Sequence, residues 1–143
     1  MDKEIRIGKE ILVLAHKLKR TIDKDTAQYG VTSIQGRIIG FVYNQSKSRD
    51  IFQKDIEAEF NIRRSSVTSV LQLMERNKLI KRVNVSEDAR LKKIILMEKG
   101  LEIQEHVHNS IDKMESRLKD EFTDDELDTF INLIRRLSKK VDE

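Results

Sequence analysis

The 143-residue sequence contains no cysteine, no proline and no tryptophan, and only 5% of its residues are aromatic. Without cysteine the chain forms no disulfide, no thiolate metal site and no thiol-based redox sensor. It also has no apolar run of 18 residues and no signal-peptide pattern, so we expect neither a membrane span nor secretion. Because proline is absent and glycine occurs only five times, few signals would interrupt a helix, and long helices are favoured.

The charged residues are numerous and unevenly distributed. They make up 37% of the chain, against about 25% in a typical globular protein. Residues 61–100 carry ten Lys and Arg against four Asp and Glu, whereas residues 101–143 carry seven against twelve. A net charge of +6 in the middle beside −5 at the C-terminal end indicates a local surface for a polyanion.

Apolar spacing predicts helices at both ends of the chain. Residues from about Glu4 to Gln28 repeat apolar side chains every three or four positions, and residues from Glu98 to Lys119 do the same. The last helix begins with a capping box at Thr123, and its apolar face continues to Val141. Because these faces exceed what a small core can cover, we expect the terminal helices to pack together and, in part, against a second subunit.

The middle of the chain is typical of a helix-turn-helix followed by a hairpin. A helix capped at Thr32 or Ser33 leads into a short helix from Phe52 to Phe60, and another helix follows a break at Asn61. Two β-branched segments around a polar tip, Ser86–Asp88, then predict a β-hairpin. The expected fold is therefore mainly α with a small β-hairpin wing. The apolar stripe of the second helix is assigned to the core: Val67, Val70, Leu71 and Met74.

This arrangement suits duplex DNA, because a helix fits the major groove while a hairpin reaches beyond it. Arginines at the leading end of the second helix can meet guanine edges or phosphates, and short polar side chains follow them. The predicted contacts of this recognition helix are Arg63, Arg64, Ser65, Ser66, Thr68, Ser69 and Gln72. The basic residues predicted to contact DNA from the hairpin are Arg90, Lys92 and Lys93.

Several segments resemble the multiple-antibiotic-resistance regulator (MarR) family. The similar segments are Phe52–Ile56, Ser65–Thr68, Leu73–Arg82 and Asp88–Leu96. The strongest match is the wing, where that family has D-x-R, an apolar strand and a glycine at the start of the next helix. The matching residues here are Asp88, Arg90, Ile94, Leu96 and Gly100.

The resemblance implies one winged helix-turn-helix domain over residues 1–143. The DNA-binding region would span about 32–100, between dimerisation helices at about 1–30 and 101–143. The implied protein is a homodimeric, cytoplasmic, bacterial transcription regulator, usually a repressor, that binds a pseudo-palindromic operator. It would have no enzymatic activity and no cofactor. By analogy, Arg90 enters the minor groove and Asp88 orients it through an ion pair, while the helix Arg63–Asn77 enters the major groove.

The resemblance also implies a small aromatic or anionic effector that releases the regulator from DNA. Four residues are assigned to the wall of its pocket: His16, Arg37, Phe41 and Tyr43. Two departures from the family concern helix ends. Phe52 stands where relatives have a Thr cap, so we expect capping from Asp50 or no cap. Lys78 occupies the usual glycine position, and the neighbouring Asn77 is the residue able to adopt the left-handed conformation.

Two other chemistries were weighed against DNA binding. Glu102 and His106 have the i, i+4 spacing of metal ligands, but without a third ligand they are better interpreted as a surface pair. No nucleophile, phosphate loop or paired-carboxylate pattern indicates an enzyme. The alternative function is a winged-helix protein-interaction module, in which the basic hairpin docks an acidic partner. That alternative predicts weak DNA binding that is indifferent to sequence.

Overall fold

The computed structural model describes residues 4–142, and the mainly α fold with a β-hairpin is confirmed. The elements are α1 (Ile7–Ala27), α2 (Ser33–Gln45), α3 (Gln53–Phe60), α4 (Arg64–Arg76), β1 (Ile80–Asn84), β2 (Lys92–Leu96), α5 (Glu98–Asp120) and α6 (Asp124–Val141). The predicted dimerisation helices begin at about residue 1 and end at residue 143, and these two limits lie outside the described residues. None of the described helices is both long and apolar enough to cross a membrane.

The chain divides into two compact units. The first ends at Ser110 and contains α1 to α4, the hairpin and the first part of α5. The second begins at Ile111 and contains the remainder of α5 and α6. The winged helix-turn-helix lies entirely within the first unit.

The core of the first unit is aliphatic and centres on α2, α4 and the hairpin. The predicted core stripe of α4 is buried at Val67, Leu71 and Met74, while Val70 is half-buried. The other buried aliphatic side chains of the first unit include Ile38, Ile39, Val42, Ile51, Ile56, Leu79, Ile80 and Ile94. Their burial fixes which face of α4 turns inward, so the polar residues of α4 are left at the surface.

The hairpin forms the predicted wing. Its strands pair antiparallel, in a register from Ile80 opposite Leu96 to Asn84 opposite Lys92. The N–H of Ile94 also donates a hydrogen bond of 2.7 Å to the carbonyl of Ile51, in the segment before α3. The base of the wing is therefore held by the backbone of the helix-turn-helix as well as by its own ladder.

The start of α2 confirms one of the two predicted caps. Thr32 is the N-cap, and it forms a capping box with Gln35. The N–H of Ser33 donates a 2.7 Å hydrogen bond to Oδ1 of Asp23, near the end of α1. This hydrogen bond is the main reason that the pKa of Asp23 is lowered below its ordinary value. The connection between α1 and α2 is thus fixed by two side-chain caps.

The start of α3 has no side-chain hydrogen bond from the N-cap residue, Phe52, to the N–H groups of the first turn. Oδ2 of Asp55 accepts a 2.8 Å hydrogen bond from the N–H of Phe52, which is the reciprocal half of a capping box. A phenyl ring offers no acceptor to the helix N–H groups, and a carboxylate within the first turn also interacts favourably with the helix dipole. Asp50 lies instead 3.8 Å from Nζ of Lys93. Of the two predicted alternatives, the start without a side-chain cap from Asp50 or Phe52 is the one that the structure shows.

The end of α4 is a Schellman motif whose left-handed residue is Lys78. Lys78 has φ of 60°, whereas Asn77 has φ of −83° and remains right-handed. The N–H of Lys78 donates to the carbonyl of Glu75, and that of Leu79 donates to Met74. The left-handed position is therefore taken by Lys78 itself, and Asn77, which is also able to adopt that conformation, does not do so. Leu79 must enter the core directly after the helix, and only a reversal at Lys78 directs it there.

The second unit begins its last helix at the predicted capping box. Oγ1 of Thr123 accepts from the N–H of Glu126, and the Glu126 carboxylate accepts from the N–H of Thr123. Phe122 stacks on Phe130 with ring centroids 5.1 Å apart. No residue of α6 is buried. The apolar side of this helix is therefore left accessible within the single chain.

Candidate nucleic-acid interface

The two helices of the helix-turn-helix are joined by a side-chain hydrogen-bond chain. Nε2 of Gln53, the first residue of α3, donates a 2.8 Å hydrogen bond to Oγ1 of Thr68 on α4. The Thr68 hydroxyl in turn donates a 2.8 Å hydrogen bond to the carbonyl of Arg64. Because the Thr68 proton is already used, Thr68 positions α4 against α3 and is not a free donor for a ligand.

The leading end of α4 is exposed. Arg63 is the N-cap residue and Arg64 begins the helix, which confirms the predicted helix to within one residue. Arg63, Arg64, Ser65 and Ser66 are all exposed. The hydroxyl of Ser69 donates a 3.2 Å hydrogen bond to the carbonyl of Ser65. The two arginines and the first two serines are thus the side chains that this end of the helix presents to a partner.

The wing tip holds its arginine by a carboxylate. Oδ1 of Asp88 accepts from the backbone N–H of Arg90 at 3.0 Å and from its Nε at 3.2 Å, and Oδ2 is 3.5 Å from Nη2. Two hydrogen bonds from Arg90 lower the pKa of the Asp88 carboxyl. The bond from the backbone N–H has the larger effect, and the bond from the guanidinium has the smaller one. The carboxylate therefore stays ionised into the acid range. Arg90 itself is 92% exposed, so it is oriented without being covered.

A cleft of about 530 Å³ lies between α3, α4 and the wing. It brings together residues that are distant in sequence: Arg64, Thr68 and Gln72 come from α4, and Arg90 and Lys92 come from the wing. Five cationic side chains line the cleft against a single carboxylate, that of Glu57. Such a concentration of positive charge between a helix and a hairpin is suited to a polyanion.

Lys93 is separated from the other predicted wing contacts. Successive residues of a strand point to opposite faces, so Lys92 lines the cleft while Lys93 does not. Nζ of Lys93 lies 3.8 Å from Oδ1 of Asp50, beside a different cavity. The interface at the cleft therefore gains one lysine from β2 rather than two.

The cleft also contains residues that the sequence interpretation did not assign to the site. These are Phe52, Gln53, Lys54, Glu57, Arg82 and Leu91. Of the α3 residues, Lys54 lies on the side of the helix opposite buried Ile56, while Gln53 and Glu57 lie nearer to its buried face, so helical spacing could have identified only Lys54. Arg82 is opposite Ile94 and follows the same strand alternation that places Lys92 on this face. Its position relative to α4, however, follows from tertiary packing.

The four residues assigned to an effector pocket are not gathered in one place. His16 is exposed on α1. Arg37 lies over the ring of Phe60, 4.8 Å from its centroid, and Phe41 packs edge-on against the same ring at 5.9 Å. Tyr43 lines a cavity, and Nζ of Lys47 lies 4.4 Å from the centroid of its ring.

The cavity beside Tyr43 has a volume of about 410 Å³ and lies between α2, β2 and the start of α5. Its apolar wall includes Val42, Ile51 and Leu96, and the 46–51 segment forms its charged side. Among residues 4–142, no group of three or more His, Cys, Asp and Glu could hold a metal ion. His106, weighed above as a metal ligand, stacks on the ring of Tyr29 at a centroid distance of 4.8 Å.

The comparisons with known proteins agree with this geometry. Residues 29–91 match a family model described as the MarR family. No curated protein matches the chain. The chain is similar to a crystal structure of a complex of Staphylococcus aureus MepR with DNA, with 26% identity, a TM-score of 0.86, and coverage of 96% of this chain and 99% of that one.

Two further solved structures have similar coverage. MepR of S. aureus in its DNA-binding conformation is 26% identical with a TM-score of 0.81, over 94% of this chain and 98% of that one. The transcription regulator MarR from Oenococcus oeni PSU-1 is 24% identical with the same TM-score, over 94% and 99% of the two chains. The similarity to the Oenococcus oeni protein concerns the fold alone.

Proposed function

The chain belongs to the MarR family of winged-helix transcription regulators, and from this premise we propose that it is a homodimeric repressor of a pseudo-palindromic operator. It is a DNA-binding regulator, and the family to which it belongs consists of regulators, not enzymes. The observation that carries the proposal is the cleft in which α3, α4 and the wing bring five cationic side chains together. We place its action in the cytoplasm, where a bacterial operator is found.

In the proposed complex, α4 enters the major groove with its leading end. Arg64 reads base edges there, and Arg63, Ser65 and Ser66 contact bases or phosphates, because these are the exposed side chains of that end. Ser69 and Gln72 lie farther along the helix and are assigned to the flanking backbone. Thr68 holds α4 in place through Gln53.

The wing reaches the neighbouring minor groove in this proposal. Arg90 enters it, oriented by Asp88, and Lys92 neutralises a phosphate beside the cleft. A dimer then places its two recognition helices in successive major grooves, with half-sites about 10 bp apart. The MepR structure, which contains DNA, supports this mode of binding by similarity.

The exposed apolar residues of the terminal helices support a dimer. On α1, Ile11 and Leu12 are 48% and 60% exposed, and on α6, Leu133 is 45% exposed. Apolar residues recur along α6, and no residue of α6 is buried within the single chain. Apolar stripes of this length are typical of surfaces that another subunit covers. We therefore assign the dimer interface to the terminal helices.

We assign the effector site to the cavity beside Tyr43. Its volume of about 410 Å³ is within the range of small-molecule sites. Lys47, Arg49 and Lys93 supply positive charge against the single acid Asp50, and the wall behind them is apolar. This combination favours a small aromatic or anionic molecule, whose binding between α2 and β2 would release the operator.

Selection from a pool of random duplexes tests the proposed function. The purified protein is expected to enrich a two-fold symmetric sequence, with affinity that falls steeply with salt. On that sequence, Arg64→Ala is expected to cost about 1–3 kcal/mol and to relax the preference at one base pair. The matched variant Lys92→Ala should weaken binding to all duplexes alike and reduce the salt slope by about 0.9.

Two results would contradict the proposal. Enrichment of no sequence by an intact dimer at low salt would favour the alternative, in which the hairpin docks an acidic protein. Equal losses from both variants on every duplex would remove Arg64 from base recognition, while leaving the DNA-binding function itself in place.

A further inference from the structure

An arginine in the wing reaches back to the recognition helix. Nε of Arg82 on β1 donates a 2.8 Å hydrogen bond to Oε1 of Glu75 in the last turn of α4, and its Nη2 contacts the same oxygen. The two side chains are only 23% and 34% exposed. Because this pair is partly buried and hydrogen-bonded, water and salt screen it less than they screen a surface pair.

The ion pair lies where the wing needs support. A two-stranded hairpin is marginally stable by itself. Its base is held by buried Ile80 and Ile94 and by the hydrogen bond from Ile94 to Ile51. Arg82 lies two residues beyond Ile80 toward the tip. The contact with Glu75 therefore extends the support of the wing from its base toward the residues assigned to the minor groove.

We propose that Glu75 and Arg82 are positioning residues for DNA recognition. Their ion pair sets the distance between α4 and the wing, so that Arg64 and Arg90 reach adjacent grooves at the same time. This inference rests on the proposed function and adds to it two residues that do not touch the DNA. Arg82 lines the cleft, whereas its hydrogen-bond partner Glu75 is not among the residues that line it.

A direct phosphate contact by Arg82 is the competing role, because Arg82 also lines the cleft. The two roles predict opposite effects of removing the carboxylate. If Arg82 positions the wing, the loss of Glu75 weakens DNA binding. If Arg82 contacts a phosphate, the loss of Glu75 frees a cation and tightens DNA binding.

The experiment uses the full chain and the duplex that the wild-type protein selects. The variants are Glu75→Gln, Arg82→Gln, both together, and the charge swap Glu75→Arg with Arg82→Glu. Lys81→Gln is the matched control, since it removes a neighbouring charge from the other face of β1. Each protein is measured for dissociation constant over a salt series and for hydroxyl-radical protection of the duplex.

Each single variant is expected to weaken binding roughly tenfold, and the double variant to be no weaker than either, because the two residues act as one coupled unit. The charge swap should recover most of the affinity. The salt slope should be the same in the two single variants, since each displaces the wing, with its phosphate contact at Lys92, as one unit. Protection should disappear in the minor groove at the wing but remain at α4, and Lys81→Gln should change neither.

The inference is overturned if Glu75→Gln tightens or does not change binding, or if Arg82→Gln lowers the salt slope by about 0.9 more than Glu75→Gln does. If the single variants lose their helical circular dichroism, they are unfolded, and the charge-swap variant then tests the inference. It retains an ion pair, so a normal wing footprint supports the inference and a lost one overturns it. A wild-type protein that selects no duplex would instead contradict the proposed function.

Discussion

At the scale of single residues, the polar side chains of the interface divide into those that hold the structure and those left for a partner. Gln53 and Thr68 are engaged with each other, and Asp88 is engaged with Arg90. Arg64 has its guanidinium at the exposed start of α4. Sequence type does not distinguish these groups, because Thr68 and Ser66 have similar hydroxyls but only the Thr68 hydroxyl has a partner within reach on α3.

Lys78 offers a test of backbone strain at a single residue. It holds a left-handed conformation at φ of 60°, which costs a residue with a Cβ about 1 kcal/mol relative to glycine. Lys78→Gly is therefore expected to stabilise the protein by about 1 kcal/mol and to raise its melting temperature by a few degrees. Thermal unfolding at equal protein concentration measures the change.

The control for this prediction is Lys78→Ala. It removes the same charge but keeps the Cβ, and so it should leave the melting temperature near that of the wild type. A gain of equal size in both variants would assign the effect to the charge of the lysine. A gain in neither would mean that the left-handed conformation carries no appreciable strain.

At the scale of elements, the wing and α5 are joined by a close backbone approach at Gly100. A Cβ built on Gly100, in the first turn of α5, would lie 2.4 Å from the carbonyl oxygen of Leu79. That carbonyl also accepts a 2.9 Å hydrogen bond from the N–H of Met97. The glycine of the family pattern thus lets α5 begin directly against the residue that leads into β1.

Gly100→Ala is accordingly expected to destabilise the first unit. The methyl group meets a backbone atom, so α5 or the strand must move, at a cost of about 1–3 kcal/mol that exceeds the gain in helix propensity of about 1 kcal/mol. Urea denaturation followed by circular dichroism measures the difference in unfolding free energy.

Gly40→Ala provides the matched control within a helix. No heavy atom lies within 4 Å of the Cβ position at Gly40, so alanine there should raise stability by about 0.5–1 kcal/mol. Opposite signs at the two glycines are the expected result. A gain at Gly100 as well would show that the start of α5 adjusts freely.

At the scale of the whole molecule, the excess of basic residues and the exposed apolar residues lie in different parts of the chain. The basic excess of residues 61–100 falls on the recognition helix and the wing. The terminal helices carry the exposed aliphatic side chains, on α1 and again on α6. This separation gives one part of the chain a surface for a polyanion and leaves apolar faces for the proposed second subunit.

Leu133→Glu is expected to dissociate the proposed dimer. A carboxylate at an apolar interface loses its hydration without gaining a partner, which should weaken dimerisation by roughly 100-fold, or about 3 kcal/mol. Sedimentation velocity over a concentration series measures the shift toward monomer. Affinity for the selected duplex should fall at the same time, because two linked half-sites are no longer engaged together.

Asn132→Glu is the control for this prediction. It introduces the same charge one residue earlier. By helical spacing Asn132 lies on the side of α6 opposite the centre of its apolar face, so the dimer should stay intact. If both variants remain dimeric, α6 is not the interface. If both dissociate, the effect of the charge is not specific to the apolar face.

Much of the architecture could be predicted from the sequence because its determinants are local. The apolar period fixed the helices, the capping boxes at Thr32 and Thr123 fixed two of their starts, and alternation fixed the hairpin. The start of α3 and the end of α4 show what local determinants leave open. Asp55 and Asn77 were both visible in sequence, but the choice among neighbouring caps depends on where the chain must turn into the core.

The composition and patterning of the chain by themselves determined a helical, cysteine-free protein with a basic middle and a wing. Only the tertiary structure decided which basic residues share a surface. It placed Arg82 and Lys92 in the cleft with Arg64, turned Lys93 to the other face, and dispersed the four residues assigned to the effector pocket. The reason is physical: helical and strand periods fix the face of an element, whereas long-range packing fixes which faces meet.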